Sequence, residues 1–133
     1  MKKAYFAISY SNRKLFYKEI ESLKNLFNRV NIELLVFVDE YNFKANQEKE
    51  MMKTAFDEID NSDFLIAELT TKSIGVGIEI GYAFAKKMPI IYLCKNSAEY
   101  STTASGSSTY NVEYENEFDL YKSMEKLLTQ IKK

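Results

Sequence analysis

The stretch "DFLIAELTTKSIGVGIEIGYAFAKKMPIIYL", residues 63–93, decides the fold. Residues 63–69 and 90–94 are largely apolar runs of the length that is typical of buried strands. The residues between them predict a helix over about 76–87, which Pro89 ends. A strand, a helix and a second strand in this order indicate a parallel sheet, because the helix carries the chain back to the edge at which the first strand began.

The same alternation continues on both sides of this stretch. Further strands are predicted at residues 3–9, 33–39 and 110–114, and further helices at 14–29, 47–60 and 117–132. Strands that are continuous apolar runs are typical of parallel sheets covered by helices on both faces. We therefore expect an α/β fold with a flavodoxin-like doubly wound sheet of five parallel strands in the order 2-1-3-4-5. We expect a single domain over residues 1–133.

Composition excludes several classes of function. The 133 residues are 46% hydrophobic, and 18 basic residues nearly balance 19 acidic ones, so no field favours a nucleic acid polymer or an anionic membrane surface. Histidine is absent, which rules out Ser–His or Cys–His nucleophile pairs and His-ligated metal, and we expect no metal or cofactor. With one cysteine, Cys94, and no evident signal peptide or membrane span, the expected location is the cytoplasm.

One carboxylate, Glu79, stands alone in a helix that is apolar on nearly every face. Doubly wound sheets bind ligands at the carboxyl ends of strands one and three, which places Glu79 in the expected crevice and Asp39 on the same side. In the first turn of its helix, Glu79 would be kept ionised by the helix dipole, which suits a nucleophile or an electrostatic stabiliser. The alternative is a glutamate that only complements that dipole.

The turn before this helix contains Gly75 and Gly77, and Ser9, Tyr10 and Arg13 follow strand one. Glycines at a helix start let backbone amides approach an anion, and the hydroxyls and guanidinium suit a sugar or phosphate. We therefore predict that all five bind substrate. The alternatives are a tight turn with close helix–sheet packing, and an ordinary helix N-cap beside a solvated arginine.

Residues 95–109 form a long segment rich in Ser and Thr. It is predicted either as a flexible connection or as a lid whose hydroxyls, including those of Ser101 and Ser107, hold a phosphate.

The block 63–93 resembles the central block of the nucleoside 2-deoxyribosyltransferase family, and it is most similar to the branch of 2′-deoxynucleoside 5′-monophosphate N-glycosidases. The matching motif comprises Glu68, Thr70, Ser73, Gly75, Val76, Gly77, Glu79, Ile80 and Gly81. The resemblance implies that Glu79 attacks the anomeric carbon and that Ser73 binds a 5′-phosphate. It also implies that the loop 101–108 lends a serine to a neighbouring subunit, in a homodimer or higher homo-oligomer.

Two positions depart from that branch. Ala55 stands where the branch has an aspartate on the second helix, so an acid for the leaving base would come from Asp39 or Asp57, or be missing. The first loop, "SYSNRK" at 9–14, replaces a glycine-rich loop that ends in arginine.

The expected function is therefore cleavage or transfer of the N-glycosidic bond of a nucleoside or its 5′-monophosphate. A carboxylate performs this chemistry without histidine or metal. Two alternatives remain: a non-catalytic nucleotide-sensing module of the same fold, and a TIR-like NAD glycohydrolase, since "FAISYS" (6–11) resembles the opening of TIR domains.

A dimer contact is predicted from apolar residues on two helices. These are Met51, Met52 and Phe56, together with the apolar helix 76–87.

Overall fold

The computed structural model describes residues 2–131, which form a five-stranded parallel sheet. The strands are β1 (Lys2–Ala7), β2 (Ile32–Val36), β3 (Phe64–Glu68), β4 (Ile90–Lys95) and β5 (Tyr110–Tyr114). Their order is β2-β1-β3-β4-β5 and every neighbouring pair is parallel. The predicted fold class and strand order are confirmed.

Six α-helices and one 3-10 helix connect the described strands. They are a 3-10 helix (Tyr10–Phe16), α1 (Tyr17–Arg29), α2 (Phe37–Glu40), α3 (Glu48–Asp60), α4 (Ile74–Ala85), α5 (Thr102–Ser107) and α6 (Glu117–Ile131). The predicted last residue of the final helix, 132, lies outside the described residues. No helix within residues 2–131 has the length and hydropathy that a membrane crossing requires.

Several predicted boundaries were wrong, among them the end of the strand predicted at 3–9, which is Ala7, and the start of the helix predicted at about 76–87, which is Ile74. The strand predicted at 33–39 ends at Val36, and the chain then turns into α2, so Asp39 lies in a short helix instead of at a strand end. The segment after strand one begins as a 3-10 helix before α1. The segment 95–109, predicted as a loop, contains α5, which the side chain of Ser101 caps by accepting a hydrogen bond from the amide of Ala104 at 3.2 Å.

The sheet separates two hydrophobic cores, because successive side chains of a strand point to opposite faces. On β1, Ala4 and Phe6 pack on the face that α1 and α6 cover, whereas Tyr5 and Ala7 pack on the face of α3, α4 and α5. The chain leaves β1 toward one face and β3 toward the other, and this divergence opens a crevice at their carboxyl ends.

Candidate active site

A cavity of about 240 Å³ lies in that crevice, beyond the carboxyl ends of β1 and β3. The cavity is lined by Ala7, Ile8, Ser9, Tyr10, Phe37, Val38, Met51, Met52, Ala55, Ser73, Gly75, Val76 and Glu79. Most of these side chains are apolar, so the carboxylate of Glu79 is the main charged group that a ligand in the cavity would meet.

Glu79 is held in place by Tyr5, whose hydroxyl donates a hydrogen bond to Glu79 Oε2. The glutamate is only 9% exposed, and burial raises its pKa from 4.5 to about 7, while the bond from Tyr5 opposes that rise. Burial therefore opposes the ionised form that the helix dipole was expected to favour. The helix begins at Ile74, so Glu79 lies in its second turn, where the dipole of the helix end is already weak and desolvation dominates.

Tyr5 is the partner that the sequence analysis missed. Its ring is fully buried between the sheet and Phe37, and burial together with the charge of Glu79 raises the pKa of its phenol. The hydroxyl therefore remains a donor over the physiological range. Strand alternation contained the signal, because Tyr5 shares a sheet face with Ala7, which lines the cavity.

The wall of the cavity across from β1 comes from α2 and α3. Phe37, Met51, Met52 and Ala55 line it, and Ala55 is 2% exposed. Ala55 therefore lies in the cavity wall, at the position where the N-glycosidase branch that this sequence resembles has an aspartate. Met51 and Met52 are half-buried in this wall, whereas the sequence had indicated that they face outward.

Of the residues predicted at the end of strand one, the structure brings Ser9 and Tyr10 to the cavity, but not Arg13. Arg13 Nε and Nη2 instead donate to the two carboxylate oxygens of Asp39, at 2.8 and 2.9 Å. Lys24 Nζ lies 3.8 Å from the same carboxylate. Asp39 and Arg13 therefore neutralise each other outside the cavity.

The other candidate acid, Asp57, also lies away from Glu79. Its carboxylate accepts from Lys53 Nζ at 3.1 Å on the exposed side of α3. Asp39 and Asp57 are the two acids expected to replace the one missing at Ala55, and the structure places neither at the cavity.

Ser73 connects this cavity to a second one of about 370 Å³ between α4 and α5. Its hydroxyl oxygen accepts from the amide of Val76 at 3.3 Å and so caps α4. Because a hydroxyl that accepts still has its own proton to donate, Ser73 remains available to a ligand on either side.

Gly75 lines the first cavity and Gly77 the second. A Cβ on Gly77 would meet no heavy atom within 4 Å, and no described glycine has a positive φ. A tight turn or close helix–sheet packing therefore does not explain Gly77. The missing side chain leaves the second cavity open instead.

The second cavity is also lined by Ser101 and Ser107 of the Ser/Thr-rich segment and by Lys72. The amide of Ser101 donates to the hydroxyl of Tyr92 at 3.0 Å, which fixes this segment to β4. Lys72 Nζ lies 3.1 Å from Glu99 Oε1 in an exposed ion pair. Sequence reasoning missed Lys72, which supplies a cation near the predicted phosphate-binding serines.

Within residues 2–131, no three Asp, Glu or Cys side chains are grouped closely enough to hold a metal ion.

The fold and the cavity define a doubly wound α/β protein with one buried carboxylate at the switch point of its sheet. The sequence profile of the nucleoside 2-deoxyribosyltransferase family matches residues 4–124, and the chain belongs to this family. A comparison with curated protein sequences gives no significant match.

Solved structures similar to this chain include the CMP N-glycosidase BcmB of Clostridium botulinum, with 22% identity, a TM-score of 0.70, and coverage of 92% of this chain and 98% of that one. A 2-deoxyribosyltransferase from Bacillus psychrosaccharolyticus has 13% identity and a TM-score of 0.70, covering 92% and 90%. A conserved protein from Enterococcus faecalis has 21% identity and a TM-score of 0.64, covering 96% and 99%. At these identities the likeness establishes the fold.

Proposed function

We propose that the protein cleaves the N-glycosidic bond of a nucleoside 5′-monophosphate, with Glu79 as the nucleophile. The observation that carries the proposal is the position of Glu79: a carboxylate 9% exposed, oriented by Tyr5, in the cavity at the switch point of the sheet. Family membership supports the reaction class, and two of the similar structures are those of an N-glycosidase and a deoxyribosyltransferase.

The reaction begins when a carboxylate oxygen of Glu79 forms a bond to C1′ of the sugar and the bond from C1′ to the base nitrogen breaks. The electron pair of the broken bond leaves with the base, and the positive charge that develops on the sugar ring is stabilised by the carboxylate. Water then attacks C1′ and releases Glu79. If a second base attacks the same intermediate in place of water, the overall reaction is transfer of the sugar instead of hydrolysis.

Tyr5 serves this step by orienting the carboxylate. Its hydroxyl holds Oε2 of Glu79, which leaves the other carboxylate oxygen to attack. Because attack requires the ionised carboxylate and the pKa of Glu79 is about 7, activity on the free enzyme should rise as pH increases through neutrality.

The second cavity suits the 5′-phosphate. Ser73 reaches both cavities, so a sugar beside Glu79 would extend its 5′ carbon past Ser73 toward Ser101 and Ser107. Hydroxyl groups hold a phosphate by donating hydrogen bonds to its oxygens. Lys72 also lines this cavity, paired with Glu99.

We further propose that the protein works as a homodimer that α4 helps to form. Three of the large apolar side chains of α4 face solvent: Ile74 (85% exposed), Ile78 (48%) and Phe84 (60%). Ile74 and Ile78 are four residues apart and so lie on one face of the helix. Exposed apolar patches are typical of interfaces, and closed dimers are the commonest assembly. Because Ile74 also lines the second cavity, a partner seated there would stand next to the phosphate-binding serines.

A base-release assay tests the reaction. Deoxyribonucleoside and ribonucleoside 5′-monophosphates and the matching nucleosides are incubated with the wild type and with Glu79→Gln, and the free base is measured by chromatography. We expect release from at least one monophosphate, and a loss of about 10²–10⁴-fold or more in Glu79→Gln.

The matched control is Glu19→Gln, because Glu19 is also a buried glutamate, 7% exposed, but is paired with Lys95 on the opposite face of the sheet. We expect this variant to keep its activity. Near-normal turnover in folded Glu79→Gln, or an equal loss in both variants, would refute the assignment. Nucleotide binding without base release would favour the non-catalytic sensing module.

A further inference from the structure

Glu79 is a buried carboxylate without a cationic partner. The only hydrogen bond to its side chain within residues 2–131 comes from the neutral hydroxyl of Tyr5, and none of the ion pairs of the described chain includes it. The other two buried glutamates differ: Glu19 is paired with Lys95, and Glu68 accepts three hydrogen bonds. An uncompensated buried carboxylate is costly, so a cation in the cavity would be favoured.

The side chains around Glu79 present no second carboxylic acid to the cavity. Among the described residues that line it, the titratable side chains are Glu79 and Tyr10, and Tyr10 lies at the mouth with 77% exposure. Asp39 and Asp57 are engaged by Arg13 and Lys53 outside the cavity. The wall that a base would contact is formed by Phe37, Met51, Met52 and Ala55.

This wall matters because a neutral base leaves a sugar readily only if a proton reaches it as the bond breaks. A base that already carries a positive charge needs no such proton, since it departs as a neutral molecule. Aromatic faces and polarisable thioethers also accommodate a flat cationic ring.

We propose that the preferred substrates are N-glycosides whose leaving base is a cationic ring, such as a pyridinium nucleotide. This inference rests on the proposed function, since it specifies the substrate class of the same site. The step balances: Glu79 forms a bond to C1′, the bond from C1′ to the pyridinium nitrogen breaks, and its electron pair neutralises that nitrogen. Water then adds its hydroxyl to C1′ and gives its proton to solvent, while the bond from Glu79 to C1′ breaks and restores the carboxylate.

A cation in the cavity should bind more tightly as Glu79 ionises. The elements around Glu79 carry other titratable groups, among them Tyr5 and Lys3 on β1, Tyr10, Asp39 and Glu40 on α2, and Asp57 and Glu58 on α3. Within residues 2–131, only Tyr5 donates a hydrogen bond to the carboxylate, while Asp39, Asp57 and Glu58 are engaged by Arg13, Lys53 and Lys3. With a pKa of about 7, the ionised fraction of Glu79 rises about tenfold between about pH 6 and about pH 8.

The first arm of the test measures binding without turnover. Calorimetry compares 1-methylnicotinamide, a pyridinium cation, with nicotinamide, the same ring without charge. We expect the affinity of the wild type for the cation to rise about tenfold between about pH 6 and about pH 8, with no such rise for nicotinamide or in Glu79→Gln. A cation affinity that does not change with pH, or that survives in Glu79→Gln, would overturn the inference.

The second arm measures cleavage of nicotinamide mononucleotide and of uridine 5′-monophosphate, each divided by its uncatalysed rate in the same buffer. A larger acceleration for the pyridinium nucleotide supports the inference. An equal or larger acceleration for the uridine nucleotide would overturn it and leave the proposed function intact. Cleavage of neither, with the binding arm as expected, would refute the proposed reaction while supporting a cation-binding cavity.

Discussion

Replacing Glu79 by glutamine should make the folded protein more stable at alkaline pH, although it removes the proposed nucleophile. Burial raises the pKa of Glu79 from 4.5 to about 7, so the folded protein holds a proton over this range that the unfolded chain releases. The contribution of Glu79 to stability is therefore complete below about pH 4.5, falls as pH rises toward 7, and stays low above it. A neutral glutamine carries no such penalty.

The expected size follows from the shift in pKa. At about 1.4 kcal/mol per pH unit, a rise from 4.5 to about 7 corresponds to about 3 kcal/mol of unfolding free energy at pH values above 7. Glutamine also keeps an acceptor for the hydroxyl of Tyr5, so the variant should not leave that buried donor unsatisfied. We therefore expect Glu79→Gln and the wild type to be equally stable near about pH 4.5 and to differ by up to about 3 kcal/mol near about pH 8.

Urea unfolding at a series of pH values measures this difference, because subtracting the two proteins cancels every group that they share. Glu58→Gln is the control, because its effect on the unfolding free energy should depend on pH in the opposite direction. The hydrogen bond from Tyr41 lowers the pKa of Glu58, so its contribution is present above the unfolded pKa and lost in acid. A Glu79→Gln variant that is less stable than the wild type at alkaline pH, or a difference independent of pH, would refute the account of Glu79 as a desolvated carboxylate.

Three further predictions concern the site and the assembly. Tyr5→Phe should move the acid limb of the pH–rate profile to higher pH, because it removes a hydrogen bond that lowers the pKa of Glu79. The control Tyr114→Phe removes a hydroxyl bound to a different buried glutamate, Glu68, and should leave the midpoint unchanged. Equal midpoints in the wild type and both variants would contradict this role of Tyr5. Ser73→Ala should reduce the preference for a 5′-monophosphate over its nucleoside in calorimetry, and equal affinity of the wild type for both would argue against a phosphate site. Ile78→Asp should split the dimer in light scattering, whereas Phe118→Asp, at a more exposed apolar position on the other side of the sheet (73% against 48%), should not. A wild type of about 15.5 kDa in active solutions would exclude the dimer.

The sequence predicted the sheet and the location of the cavity, because buried parallel strands appear as apolar runs and the switch-point rule fixes where ligands bind. It did not predict where those runs end. The run from residue 33 to residue 39 continues unbroken through Val36 into Phe37, so hydrophobicity alone gave no sign that a strand becomes a helix there. Helix α5 consists of small polar residues without apolar periodicity, and it was missed for that reason.

The charge state of Glu79 could not be predicted, because it depends on two features that only the structure supplies. A start at Ile74 moves Glu79 out of the first helical turn, and packing against β1 buries it beside Tyr5. The roles expected for Arg13 and Asp39 depended on side-chain direction in a similar way. Both side chains lie near the expected edge of the sheet, but they bind each other and do not reach the cavity.

Trapping the glycosyl–enzyme intermediate tests the central claim most directly. A substrate from the base-release panel, or its analogue with fluorine at C2′ to slow the attack of water, is mixed with the enzyme, quenched in acid, digested and analysed by mass spectrometry. The account predicts a sugar phosphate attached by an ester bond to the peptide that contains Glu79, and no adduct in Glu79→Gln. An adduct on another residue, or release of the base by the analogue without any adduct on Glu79, would contradict it.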